Sequence, residues 1–176
     1  MKSATLAACF ALFATIAAGS ARGDVAAADA AFARALAGDS AATEQAVAAY
    51  APLAAADAPE APLYQAYLGA AQAMQGRDAW MPWNKIKATE RGLDTLDKAL
   101  RRIEPRHDAV AVRGVPVSLE ARLVAATSFV AVPDAIFHRA DQGRQLLQAI
   151  QRSPLYAQAP AAFRERVAEQ AAKAKK

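Results

Sequence analysis

The alanine content restricts the fold of this chain more than any other feature. Alanine supplies 51 of the 176 residues; it has the highest helix propensity of all residues but adds little apolar area to a core. The low numbers of glycine (8) and proline (9) argue against a turn-rich all-β fold. The composition therefore predicts an all-α protein of thin, closely packed helices, and the length suits one domain.

Residues 1–21 have the pattern of a secretory signal peptide. Lys2 provides the positive start, the run 4–18 is apolar and uncharged, and small residues lead up to a predicted cleavage point after Ala21. Cleavage would remove Cys9, so the mature chain would contain no cysteine. We predict a periplasmic or secreted protein with no transmembrane anchor after cleavage, because no other stretch reaches ~20 apolar residues.

Prolines and glycines divide residues 22–176 into about seven helices, which we predict to form one domain. An alanine-rich helical pair covers 24–58, two degenerate repeats cover 62–154, and a C-terminal helix covers 158–176. The fourth helix has the clearest amphipathic period. Its large apolar residues recur at spacings of three, four or seven: Ile86, Leu93, Leu96, Leu100 and Ile103.

Four further expectations concern the places where helices begin and end. Pro52 should kink the second helix or end it early. The stretch 109–116 contains glycine and proline and should be an ordered loop. The sixth helix should run from about Ala135 to Arg152, and the segment between Pro154 and Pro160 should form a short turn.

An internal repeat appears when the chain is shifted by 51 residues. The shift places Pro82 on Pro133, Gly92 on Gly143 and Leu96 on Leu147. A glycine at such a place lets two helix backbones approach closely. Repeated helical hairpins that bury a stripe against their neighbours are typical of α-solenoids, so we predict an α-solenoid of antiparallel hairpins.

The region 62–154 resembles the tetratricopeptide repeat superfamily. Leu68-Gly69 matches the Leu-Gly pair of the repeat's first helix, and the second helix and closing proline are matched by Gly92, Leu96, Ala99 and Pro105. The chain departs from that pattern in its period of 51 rather than about 34 residues, and in Leu119-Glu120 where a second Leu-Gly pair would stand. The resemblance implies a groove for a peptide or protein partner and an adaptor role, as in small exported bacterial proteins with such repeats.

The segment 77–85 is the most unusual part of the chain, since it holds both tryptophans and the only asparagine. Tryptophan is a typical interface anchor, so this corner is a candidate partner-binding site. The candidate residues are Asp78, Trp80, Trp83, Asn84 and Lys85. An alternative interpretation is that Trp80 and Met81 fill the core beneath a long connector while Asn84 caps the fourth helix.

No motif in the sequence indicates catalysis, a cofactor or a metal. His107 and His138 lie on different elements without metal-ligand spacing, so they are interpreted as structural or surface residues. Residues 24–76 carry a net charge of −5 and residues 77–176 a net charge of +7. Because the basic residues are interleaved with acidic ones, we predict no nucleic-acid binding.

These observations predict a periplasmic helical-repeat scaffold or adaptor, without enzymatic activity, that binds a protein or peptide partner in the cell envelope. The alternative is a periplasmic helical protein that binds a small molecule or lipid in a pocket between the alanine-rich helices and the repeats.

Overall fold

The computed structural model describes residues 17–175, with side chains from Asp24 onward. This part of the chain is all-α, as predicted, with nine helices that pack against each other. The helices are α1 (Ala17–Leu36), α2 (Ser40–Ala55), α3 (Ala61–Asp78), α4 (Pro82–Arg101), α5 (Val117–Ala131), α6 (Asp134–Phe137), α7 (Ala140–Arg152), α8 (Pro154–Gln158) and α9 (Ala161–Lys173). A 3-10 turn (Pro105–Asp108) and two short strands, β1 (Ala111–Val112) and β2 (Val115–Pro116), connect α4 to α5.

The structure divides two regions more finely than the predicted seven helices. The sixth helix is not continuous, because His138 adopts a left-handed conformation with φ 53° and ends α6. The Asp134 carboxylate then accepts a hydrogen bond of 2.8 Å from the backbone N–H of Ala140, where α7 begins. The predicted turn after Pro154 is the short helix α8, where the Ser153 side chain accepts a capping hydrogen bond from the backbone N–H of Leu155.

The stretch 109–116 is a β-hairpin and not the predicted loop. Val112 pairs with Val115 in an antiparallel register, and the two residues between them, Arg113 and Gly114, both have positive φ (54° and 76°). Two such residues make the tight turn that matches the twist of paired strands. In α2, by contrast, the helix continues through Pro52 to Ala55.

The helices pack mainly against their neighbours in the chain. α1 contacts α2, α2 contacts α3, and the α3–α4 pair is the most extensive contact; α5 then contacts α3, α4 and α7. One apolar cluster joins α1–α5, and a second joins α5, α7 and α9 around Leu119, Leu147, Ile150, Phe163 and Val167. Because α5 contributes to both clusters, it connects the two halves of the core.

Glycines set the closest helix approaches, as the sequence predicts. Gly92 of α4 lies against the backbone of Gly69 and Ala73 in α3, and a Cβ on Gly92 would lie 2.6 Å from the carbonyl oxygen of Gly69. Gly143 of α7 lies against Ala126 and Val130 in α5. The two glycines that the 51-residue shift aligns therefore each bring one helix close to an earlier helix, α4 to α3 and α7 to α5.

The predicted signal peptide falls mostly outside the described part of the chain, since its residues 1–16 are not described. Within the described residues, no helix combines the length and the apolar character needed to cross a membrane.

Candidate functional site

A wide groove of about 1180 Å³ runs across one side of the helices. Its walls come from α1, α3 and α5, and the start of α4, the β-hairpin, α6 and α9 complete it. The lining is mainly apolar and includes Phe32, Met74, Leu123, Val124, Val132 and Phe137. We call this feature the groove.

The rim of the groove carries apolar side chains that the fold leaves in solvent. Leu36 of α1, Ile86 of α4 and Ile136 of α6 line the groove, and each is exposed. In the described part of the chain the other exposed large hydrophobic residues are Trp80 and Trp83. They are close in sequence to Pro82, which lines the groove at the start of α4. Concentrated apolar exposure of this kind marks interaction sites in soluble proteins.

A buried carboxylate lies at the floor of the groove. Glu120 of α5 is only 3% exposed, and Arg166 of α9 holds both of its oxygens, with Nη1 donating at 2.9 Å and Nη2 at 2.7 Å. The Tyr67 hydroxyl of α3 donates a third hydrogen bond to Glu120, at 2.9 Å. These bonds compensate the charge that burial would otherwise penalise.

The same network extends to the hairpin and to the first two helices. Arg113 donates to the Tyr67 hydroxyl at 3.0 Å and forms an ion pair with Asp29 of α1. Asp29 in turn accepts a hydrogen bond of 2.6 Å from the Tyr50 hydroxyl of α2. Arg113 has a positive φ of 54° because it is the first of the two residues in the hairpin turn. The network therefore fixes the polar groups of the groove floor in advance of any ligand.

Burial makes two tyrosines of this network weaker acids than an ordinary tyrosine. Desolvation raises the pKa of Tyr67, with the nearby Glu120 carboxylate adding to the effect. Desolvation also raises the pKa of Tyr50, followed by its hydrogen bond to Asp29. The network thus favours the neutral phenols.

We expect Tyr50 and Tyr67 to stay protonated above pH ~10, the ordinary tyrosine pKa, as long as the fold is intact. Because their folded pKa values are raised, their contribution to stability is complete below the unfolded pKa and is lost as pH rises through the folded values. An ultraviolet titration of tyrosinate, with circular dichroism as the folding control and Tyr67→Phe to assign one signal, measures this. Ionisation of both phenols near pH ~10 in the folded protein would contradict it.

The aromatic corner, residues 77–85, is on the surface. Trp80 is 87% exposed and Trp83 is 63% exposed, so the alternative that Trp80 fills a gap in the core is wrong. Asn84 does not cap α4 either, since Met81 occupies the capping position and makes no side-chain cap. The connector between α3 and α4 is only three residues long, 79–81, and leaves no gap for an aromatic side chain to fill. The two helices pack closely through Gly69 and Gly92 instead.

The three polar candidates of this corner are divided between two pockets. Asp78 accepts hydrogen bonds from Arg77 Nε (2.6 Å) and Thr43 Oγ1 (2.7 Å), and the Arg77 bond lowers the pKa of the Asp78 carboxyl. Asp78 and Asn84 line a smaller pocket of about 670 Å³ between α2, α3 and α4. Lys85 lines the groove and donates to the backbone carbonyl of Arg77 at 3.1 Å. The five predicted residues therefore do not form one site.

The two histidines have different surroundings. His107 is buried, and its Nδ1 accepts a hydrogen bond of 2.8 Å from the backbone N–H of Glu104, which is a structural role. His138 is exposed at the end of α6. In the part of the chain that the structure describes, no three His, Cys, Asp or Glu side chains are grouped as metal ligands.

Sequence reasoning missed the groove-floor residues Arg113, Glu120 and Arg166. One signal was present: Glu120 follows Leu119 on the apolar segment of α5, where the repeat pattern would place glycine. A carboxylate on a buried helix face needs a cationic partner. That partner is Arg166 of α9, which lies 46 residues further along the chain.

Comparison with known proteins gives no match to any protein-family model, curated protein or solved structure. The groove, its floor and the aromatic corner are therefore the observations on which a function rests.

Proposed function

We propose that this protein is a non-catalytic adaptor whose groove binds an amphipathic segment of a protein partner. The observation that carries the proposal is the apolar groove with the exposed Leu36, Ile86 and Ile136 at its rim. These side chains would leave water when an apolar face enters the groove, which favours binding by roughly 25 cal/mol for each Å² buried.

The size of the groove favours a peptide over a compact small molecule. Its volume of about 1180 Å³ lies above the ~300–1,000 Å³ typical of small-molecule pockets. A helix that lies in an apolar groove contacts it through side chains at positions i, i+3, i+4 and i+7. The groove spans several helices from α1 to α9, so it offers room for a row of such anchors.

The polar floor gives the groove a means of recognition. Arg113 and Arg166 are each about half exposed while paired with Asp29 and Glu120. An arginine has five N–H donors, and the observed bonds use only some of them. Further donors on both side chains would bind backbone carbonyls or an acidic side chain of the partner segment.

The helix arrangement supports a solenoid like that of tetratricopeptide repeats as part of this proposal. α1 with α2, α3 with α4 and α5 with α7 each form a contacting pair, and the first helix of each pair lines the groove. The resemblance to tetratricopeptide repeats implies a peptide bound in a groove of this kind, which the first helix of each pair lines. Together with the predicted signal peptide, this resemblance supports a partner in the cell envelope.

A lipid or small amphiphile is the second candidate, because most side chains that line the groove are apolar. The two candidates predict different contacts at Ile136 in the cell: a protein segment for the adaptor, and a lipid or amphiphile for the second candidate. A photoreactive phenylalanine analogue at Ile136 tests this, with the same analogue at the exposed Ala51 of α2 as the control outside the groove.

We expect irradiation to link Ile136 to one defined segment of a partner protein, identified by mass spectrometry of the digested adduct. A synthetic peptide of that segment should compete with the cross-link, and the Ala51 position should give no such adduct. Adducts with lipid alone, or equal labelling of the two positions, would contradict the adaptor function.

A further inference from the structure

The aromatic corner has a surface character that the groove does not explain. Trp80 and Trp83 extend into solvent, and neither lines the groove or the smaller pocket. Trp80 lies in the connection between α3 and α4, and Trp83 lies in the first turn of α4, so the two exposed rings form an apolar tip there. Two tryptophans left in water at one tip are a large exposed apolar area that a binding surface would cover.

Basic side chains lie near this tip on α3 and α4, Arg77 and Lys85 at the groove and Lys87 and Arg91 at the smaller pocket. Residues 77–91 contain four bases and two acids, and one of the acids, Asp78, is paired with Arg77. Lys85 has no carboxylate within ion-pair distance in the described part of the chain. Lys87 and Arg91 are exposed on α4, and Lys87 follows Trp83 by one turn on the same helix face.

We propose that the aromatic corner docks on the surface of a bilayer that contains anionic phospholipids. Tryptophan rings prefer the headgroup level of a membrane, where their apolar and polar parts are both satisfied. Basic residues near that level are attracted by anionic lipids. The excess of bases at the corner agrees in sign with this surface, and so does the chain's net charge of +4.

The shape of the corner favours a bilayer over a protein as the occupant. Tryptophan anchors of protein interfaces are typically enclosed by complementary pockets and surrounded by neighbouring contacts. Here the two rings are exposed where α3 connects to α4. The headgroup layer of a bilayer is fluid, so it can surround such rings without a preformed pocket. Docking would also bring the Ile86 end of the groove, one turn from Trp83, close to the membrane.

Intrinsic fluorescence tests this proposal directly, because the only two tryptophans of the chain lie at the corner. The full-length protein is titrated with vesicles of phosphatidylglycerol and phosphatidylcholine in equal parts, and with vesicles of phosphatidylcholine alone. We expect a blue shift of the emission and co-flotation with the anionic vesicles. Binding to neutral vesicles, or in high salt, should be weaker by about tenfold or more, because the attraction of every base at the corner is then lost or screened.

Charge variants provide matched controls that leave both tryptophans in place. Lys87→Gln with Arg91→Gln should weaken binding about tenfold. Arg152→Gln with Arg164→Gln removes the same charge at exposed positions on α7 and α9 and should leave binding unchanged. All variants share the same N-terminus, so differences between them report on the corner.

Three results would overturn the proposal. One is an unchanged tryptophan emission with anionic vesicles. Another is equal vesicle binding by the two charge variants when circular dichroism shows both to be folded. The third is the absence of vesicle binding together with photocross-linking of position 80 to a defined protein segment, which would assign the corner to a protein partner.

Discussion

Replacement of Gly92 by alanine is expected to lower the free energy of unfolding by about 2–3 kcal/mol. A Cβ at this position would lie 2.6 Å from the carbonyl oxygen of Gly69 and 2.7 Å from Cα of Ala73. Both are backbone atoms of α3, so no side-chain rotation relieves the contact, and α3 and α4 must move apart. The effect opposes the ~1 kcal/mol that alanine gains over glycine in a helix interior.

Urea denaturation followed by circular dichroism measures this loss. Gly143→Ala is the matched control, since its Cβ would meet the movable Val130 Cγ2 at 2.7 Å and the carbonyl oxygen of Ala126 at 3.0 Å. We expect Gly143→Ala to cost less than Gly92→Ala. If Gly92→Ala were neutral or stabilising, α3 and α4 would not approach as closely as the structure has them.

Arg166→Ala is the second substitution with a large expected effect, a loss of about 3 kcal/mol in the free energy of unfolding. It removes both charged hydrogen bonds from Glu120, which is 3% exposed. The buried carboxylate would then retain only the Tyr67 hydroxyl. We expect the lower end of the range for broken buried ion pairs, because Arg166 itself is about half exposed.

A double-mutant cycle separates this interaction from a general effect of losing an arginine. Arg166→Ala should cost much less in a chain that already carries Glu120→Gln, because no buried negative charge is then left without its partner. Arg164→Ala, at an exposed position on the same helix, is the control and should change stability by under ~0.5 kcal/mol. Equal costs of Arg166→Ala in both backgrounds would contradict a network centred on Glu120.

Much of the fold could be predicted from local sequence. The prolines and the apolar period of α4 predicted where most helices begin and end. The shift that aligns Gly92 with Gly143 predicted two positions where helices approach closely. The interruption at His138 was missed, because a left-handed residue followed by a new helix depends on one side-chain bond from Asp134. The hairpin was missed because the glycine and proline of 109–116 indicate a loop, and because arginine is an unusual residue in a tight turn of this kind.

The candidate site was less predictable, for a physical reason. The groove floor combines residues from α1, α3, α5, α9 and the hairpin. Its Asp29–Arg113 pair joins residues 84 positions apart in the chain. No local period encodes such a contact. The aromatic corner was visible in the sequence as a concentration of rare residues, but only packing shows that Trp80 and Trp83 remain exposed.

The most direct measurement of the proposed adaptor function is the affinity of the cross-linked partner segment for the purified protein. Ile86→Glu combined with Ile136→Glu places two carboxylates on the exposed apolar rim without touching the core. Each buried aliphatic anchor contributes roughly 1.5 kcal/mol or more, so the double variant should bind a labelled synthetic peptide at least about 100-fold more weakly.

The matched control is Ala51→Glu combined with Ala162→Glu, which adds the same charge at exposed positions outside the groove. Fluorescence anisotropy titrations of the same labelled peptide give the dissociation constants of the wild-type protein and both variants. A groove-bound segment predicts wild-type affinity for the control and the large loss for the rim variant. Wild-type affinity in a folded rim variant would show that the partner binds elsewhere.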